Sequence, residues 1–263
     1  MQNLIDIGAN LTHDSFDADR AAVIGRAKEA GVTHMVITGA DVPGSQAAWE
    51  LTQQYPDYLS ATAGVHPHHA KDWQADSADT LRALLAKPAV KAVGECGLDF
   101  FRNFSTHEQQ EQVFIAQLEL AVEHQLPVFL HQRDAHDPFI AILNDYLPRI
   151  PRAVAHCFTG TAQQAEEYLD MGLYIGVTGW ICDERRGADL REAVKVIPAD
   201  KLMIETDAPY LLPRDLRPKP KSRRNEPAYL PHILQVIADC RSEKADWLAS
   251  QTNKNSCLFF NVH

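Results

Sequence analysis

Short apolar runs alternate with longer stretches of helical spacing along the whole chain. Leu4–Asn10 is a first strand, and Asp19–Ala30 carries a helical pattern that stops at Gly31. The predicted pairs continue as His34–Gly39 with a helix near Ser45–Tyr55, and Leu59–Val65 with a helix around Ser77–Leu85. Val90–Leu98 precedes a long helix from Ser105 to about His124, where Glu108 three residues on predicts a capping box. Pro127–Leu130 pairs with Pro138–Tyr146, and Ala153–Cys157 with Gln163–Met171, which Gly172 stops. Tyr174–Thr178 pairs with Leu190–Val196, and Leu202–Thr206 with Leu230–Cys240. A further helical stretch lies near Lys244–Phe259.

Eight strands alternating with helices in 263 residues predict an α/β fold, a (β/α)8 barrel forming one domain over residues 1–263. The rival is an open doubly wound sheet. That fold favours a glycine-rich phosphate loop after an early strand, and here the first strand runs into Leu11-Thr12-His13-Asp14 instead.

Five of the apolar runs end on a residue that binds metals or moves protons. They are ATAGVHPHH with His66 and His68, KAVGECGLDF with Glu95, PVFLHQR with His131, AVAHCF with His156, and LMIETD with Glu205 and Asp207. A lone histidine at a strand end is more often a packed or solvated residue than a ligand. In a parallel barrel, however, all C-terminal strand ends meet at one rim, where active sites lie. There His66, Glu95, His131, His156 and Asp207 are expected to converge, and a carboxylate among histidines is a divalent-metal site.

Composition narrows the setting. An apolar content of 45% is enough for a full core, and no run of about 18 apolar residues predicts a membrane span. The start, MQNLIDIGAN, has no basic, apolar signal-peptide pattern. The cysteine count of five, without CxxC spacing, disfavours a disulfide framework or zinc ribbon and points to the cytoplasm. Cys96 and Cys157 each follow a candidate site residue, so strand alternation turns them toward the helix layer. A net charge of −10 excludes a general coater of duplex DNA. Monomer is the default expectation.

Together GVHPH, GECGLDF, the His131 strand, HCFTG and ETDAPYL, in this order and spacing, resemble the TatD-related deoxyribonucleases, over essentially the whole chain. GWICDERRG and SRRNEPAYLPHI look like the TatD proper branch of that family. The resemblance implies a TIM barrel of the amidohydrolase-like superfamily and a metal-dependent 3'-5' exonuclease of single-stranded DNA and RNA. It implies Glu95, His131, His156 and Asp207 as metal ligands, with Asp207 also the acid that binds or orients the attacking water. His66 becomes a phosphate or second-site ligand. One departure stands out: many members carry HxH on the first strand, where this chain has Asp6, Gly8 and Asn10. One of two metal positions is therefore expected to be weaker.

On this reading a metal polarises the phosphate and activates water, and Asp207 accepts the water's proton. Glu95 shares the catalytic role with Asp207 and His66. Histidine ligands favour Zn2+ or Mn2+, while cellular abundance favours Mg2+, as one ion or two. Glu205 and Asp99 are expected behind the ligands, with a structural or turn role as the alternative. His66, His68, Arg133, Arg223 and Arg224 are candidate phosphate contacts. The segment RDLRPKPKSRR, Arg214–Arg224, holds six basic residues and one acid, a local positive patch suited to a nucleic-acid backbone or an ordinary solvated loop. Phe100, Phe101, Phe104, Trp180 and Tyr210 follow site strands and either stack splayed bases or pack beneath loops. The expected substrates are single-stranded ends, with a role in DNA repair or nucleic-acid turnover. The alternatives are hydrolysis of a cyclic amide, lactone or aminoacyl ester, or a non-enzymatic binding or quality-control partner.

Overall fold

The computed structural model describes residues 3–262. Eight strands follow one another in one sheet in chain order. They are β1 Leu4–Ala9, β2 Val32–Ile37, β3 Leu59–Ala63, β4 Val90–Asp99, β5 Val128–Arg133, β6 Ala153–Ala155, β7 Tyr174–Val177 and β8 Leu202–Ile204. Between and after them come α1 Arg20–Glu29, α2 Val42–Gln54, α3 Ser77–Leu85, α4 His107–His124, α5 His136–Asn144, α6 Ala162–Asp170, α7 Ala188–Val196, α8 Leu230–Arg241 and α9 Ala245–Phe260. The fold is the predicted (β/α)8 barrel. No described helix is long and apolar enough to cross a membrane.

The chain forms two compact units, one of Met1–Val36 with Cys157–His263 and the other of Ile37–His156. In both, the strands are apolar runs buried on both faces, as parallel strands covered by helices must be.

In the Ile37–His156 unit, β4 decides the local geometry. It pairs in parallel with β5, but three steps along β4, Val93 to Cys96, match two along β5, Val128 to Leu130. This bulge lies at Gly94 and Glu95. A bulge bends a strand and re-aims a side chain. Glycine is required on both sides of the carboxylate, because Gly94 has φ 134° and Gly97 φ 143°. A Cβ at these positions would stand 2.2 Å from the Phe129 carbonyl oxygen and 1.9 Å from that of His131. The motif GECG is thus two close backbone approaches with a glutamate between them.

Helix α4 starts one residue later than the sequence predicts. Its cap is Thr106, whose side chain accepts from Gln109 N while Gln109 reaches back to Thr106 N. Ser105, the predicted cap, instead accepts from Lys71 N at 3.0 Å and donates to His68 O at 3.2 Å. The hydroxyl there fixes the short 3-10 helix Pro67–Asp72 that follows β3.

In the other unit, β7 pairs with β8, and a parallel bridge joins Ala9 to Ala208. Asp6, fully buried on β1, accepts from Thr206 N at 2.9 Å and Thr206 Oγ1 at 2.5 Å. One carboxylate therefore ties the first strand to the chain leaving the last. Burial pushes its pKa up to about 7 against these hydrogen bonds.

Candidate metal centre

Glu95, lifted by the bulge, meets three imidazoles on a single oxygen. Its Oε1 lies 2.7 Å from His156 Nε2, 3.1 Å from His131 Nδ1 and 3.3 Å from His66 Nε2. Two donor atoms each about 2.0–2.2 Å from one ion are themselves about 3.0–3.4 Å apart, a spacing that the His131 and His66 distances match, while the 2.7 Å to His156 is that of a hydrogen bond. The elements are distinct: β4 supplies Glu95, β5 His131, the residue after β6 His156, and the cap of the Pro67–Asp72 turn His66.

Electrostatics favour a cation here. Burial acts to raise the Glu95 carboxyl, but His156, His66 and His131 hold it well below the ordinary range. Burial likewise opposes ionisation of Asp99, which His131, His68 and the Arg102 N–H nonetheless hold far down. His131 sits between the two carboxylates. They raise its pKa although burial lowers it. Its Nε2 is buried without a hydrogen bond, 3.4 Å from Asp99 Oδ2 but poorly aligned with it. An imidazole with an unsatisfied buried nitrogen beside two anions fits a divalent ion.

His66 plays a different part from the other histidines. Its Nδ1 accepts from His68 N at 3.0 Å, so that nitrogen carries no proton. Burial drives the ring well below its ordinary pKa, with Glu95 opposing, so the imidazole is neutral. Its proton then sits on Nε2, and His66 offers an N–H donor to the site. His66, Glu95 and His131 nonetheless bring one possible ligand atom each within 4.8 Å of one another.

Asp99 is nearly fully buried and stands 2.7 Å from His68 Nε2. It also accepts from Phe101 N and Arg102 N, at 3.0 and 2.8 Å. One side chain thus both pairs with His68 and accepts from the backbone of the turn after β4.

Two residues escape a search for metal-type side chains. Gln110 and Gln117 are buried on α4 among Val113, Phe114 and Leu118. Gln117 bonds both backbone groups of Val65, the residue before His66, at 2.7 and 2.9 Å. Gln110 does the same for Asp99, at 2.8 and 3.0 Å. The readable signal was two glutamines seven apart on the apolar face of a helix, where an amide must find partners.

Arg133 lies with its guanidinium carbon 3.8 Å from the centre of the Phe101 ring. Phe101 and Phe104 are 52% and 55% exposed, and Phe104 stands edge-on to His68. Phe100 instead stacks on His107. Cys96 is buried, as alternation requires, and Cys157 is only half-buried.

In the other unit, Asn10 Nδ2 donates to Asp207 Oδ1 at 2.9 Å, and Asp207 N donates to Gly8 O at 2.8 Å. Asn10, a departure from HxH, orients the Asp207 carboxylate. Glu205 is fully buried and accepts from Cys157 N at 2.5 Å. Gly176 makes room for it, since a Cβ there would meet Glu205 Oε1 at 2.6 Å. In the basic segment Arg223 is exposed, but Arg224 is not a free cation. Its guanidinium makes two 2.8 Å bonds to Asp19 and a 2.9 Å bond to Glu226. Arg224 thus pins the end of this segment to Asp19 and Glu226.

The barrel with this carboxylate–histidine cluster defines a class, the metal-dependent hydrolases of the (β/α)8 fold. Residues 5–261 match the family model described as TatD related DNase, and the chain belongs to that family. It is 57% identical over 259 residues to the 3'-5' ssDNA/RNA exonuclease TatD of Pantoea ananatis (strain LMG 20103), covering 98% of this chain and 100% of that protein. It is similar to the crystal structure of YJJV, a TatD homolog from Escherichia coli k12, at TM-score 0.91 and 31% identity, covering 100% and 99% of the two chains. A hydrolase TatD family protein from Entamoeba histolytica superposes with TM-score 0.90 at 29% identity, over 98% of each chain.

Proposed function

We propose that this protein is a metal-dependent 3'-5' exonuclease acting on single-stranded DNA and RNA ends. The observation that carries the proposal is the Glu95 oxygen shared by His156, His131 and His66, in a chain so similar to a protein of that name. A divalent ion held by Glu95, His131 and His156 would supply Lewis acidity toward the phosphate and toward water. Magnesium, through its abundance, is the ion we assign in the cell, with Mn2+ and Zn2+ chemically suited to the same donors.

The chain's own groups have separate tasks. His66 donates its Nε2–H to a phosphate oxygen, which neutralises developing charge without needing a change of protonation. His68, steadied by Asp99, is placed for a second phosphate contact. Asp207, oriented by Asn10, accepts the proton of the attacking water. Arg133 and the exposed Phe101 and Phe104 offer a cation and ring faces to a splayed strand end, an interaction tolerant of sequence. Arg214, Arg217, Lys219, Lys221 and Arg223 are exposed, while Arg224 is committed to Asp19 and Glu226. The exposed cations favour a nucleic-acid backbone over a cyclic amide or lactone. Trimming of single-stranded ends fits a place in DNA repair or nucleic-acid turnover.

The test uses metal-stripped protein and a single-stranded oligonucleotide labelled at the 5' end in one sample and the 3' end in another. The expected result is a 5'-labelled ladder that shortens stepwise only after Mg2+ or Mn2+ is added, and that is absent with Glu95→Ala. Equal cleavage by the variant, or none with any metal, would overturn the proposal.

A further inference from the structure

Away from the Glu95 cluster, three side chains from three elements come together in the unit that carries β7 and β8. Cys182 ends the short 3-10 helix Gly179–Cys182 after β7. His232 lies in the first turn of α8. Asp215 lies in the loop between β8 and α8, at the start of the basic segment. One ligand atom from each, a thiol sulfur, a carboxylate oxygen and an imidazole nitrogen, all fall within 4.8 Å of one another. His232 Nε2 is 2.7 Å from Asp215 Oδ1. The thiol is fully buried, whereas the Asp215 and His232 side chains remain 25% and 31% exposed.

We infer that Cys182, Asp215 and His232 form a second metal site, selective for a thiophilic divalent ion such as Zn2+. The donor chemistry decides the ion. Thiolate and imidazole together suit zinc, while Mg2+ prefers an all-oxygen shell and is a poor match. On binding, the thiol proton leaves to solvent and the sulfur–metal bond takes its place. The exposed edges of Asp215 and His232 give the ion a way in and leave a fourth position for water. A buried thiol against a lone carboxylate and imidazole could instead be a plain hydrogen-bonded pin, and the two readings differ in what a metal does.

The site also has a position that matters. Asp215 anchors the N-terminal end of the Arg214–Arg224 segment, and Arg224 anchors its other end through Asp19 and Glu226. Between the anchors Arg217, Lys219, Lys221 and Arg223 are exposed. A metal at Asp215 would hold this cationic strap more tightly and so protect it from cleavage.

Cobalt(II) chloride distinguishes this site from the Glu95 cluster, because only a thiolate ligand gives an intense near-ultraviolet sulfur-to-cobalt absorption. The full-length, metal-stripped protein is titrated with Co2+ and then with Zn2+. The expected result is a saturable thiolate–cobalt band, bleached by Zn2+, retained in Glu95→Gln and lost in Cys182→Ser. Tryptic cleavage within 214–224 is expected to slow at least several-fold with Zn2+ in the wild type and not in His232→Ala. Circular dichroism confirms that the variants are folded, and Asp215→Asn replaces any that is not. Absence of the band in the wild type, or its persistence in Cys182→Ser, would overturn the inference.

Discussion

Asp99 Oδ2 stands 2.7 Å from His68 Nε2 and 3.4 Å from Nε2 of His131, so one buried carboxylate faces two of the site's imidazoles. Gln110 holds the backbone of Asp99 from α4, which leaves the carboxylate little freedom. Asp99 thereby holds the His68 ring and raises the pKa of His131. Removing such a partner commonly costs about 10–100-fold in metal affinity. Asp99→Asn, which keeps the shape, is expected to weaken Mn2+ binding by about that factor in a calorimetric titration. Binding within twofold of the wild type would show that Asp99 serves only the turn.

The pairing of Asn10 with Asp207 allows the proton transfer proposed for Asp207 to be tested apart from metal binding. Asp207→Asn is expected to lower kcat by about 10²–10⁴-fold, the usual worth of a positioned base. Asn10→Ala removes a hydrogen bond to a charged group, about 1.5–3 kcal/mol, and is expected to lower kcat by about 10–100-fold. Both variants should bind Mn2+ within a few-fold of the wild type. If Asp207→Asn loses the metal instead, Asp207 is a ligand and not the base.

Much of this site was legible because chemistry and periodicity agreed. The runs ending at His66, Glu95, His131 and His156 were readable as strand ends, and the structure brings those four together on one oxygen. The tautomer of His66 was not legible, since it depends on a backbone N–H from His68 supplied by the turn. Nor was the fate of Arg224, whose partner Asp19 is 205 residues away. The Thr106 cap was missed by one residue because Ser105–Glu108 and Thr106–Gln109 present the same pattern, and only the tertiary bonds of Ser105 to Lys71 and His68 choose between them.

The glycines around Glu95 make the bulge testable without touching a ligand. Gly97→Ala would bring a Cβ to 1.9 Å from a backbone oxygen at φ 143°, and neither can move cheaply. Backbone strain and overpacking together predict a loss of about 2–6 kcal/mol in urea unfolding. Gly25 in α1 is the control, because nothing lies within 4 Å of a Cβ there. Gly25→Ala should stabilise by about 0.5–1 kcal/mol from helix propensity. Similar stabilities for Gly97→Ala and the wild type would mean that β4 and β5 are not this close.

The bidentate Arg224–Asp19 pair gives a stability term with a defined pH window. The hydrogen bond from Arg224, with Arg26 assisting, holds the Asp19 carboxyl at about 2, below its ordinary value of 3.8. A depressed carboxyl pKa means that the unfolded chain binds more protons as pH falls, so folding loses stability on acidification. The contribution is fully present above about pH 4 and fades as pH drops toward about 2. The Asp19 and Arg224 side chains are 35% and 21% exposed, and screening limits the pair to about 1 kcal/mol. A double-mutant cycle of Asp19→Asn and Arg224→Gln, followed by urea unfolding, should show that coupling at pH 7 and a clearly smaller one at pH 2.5. The cycle cancels the contribution of Glu226, which also pairs with Arg224. A coupling of equal size at both pH values would mean that the pair acts through packing rather than charge, and a coupling near zero at pH 7 would leave the basic segment without this anchor.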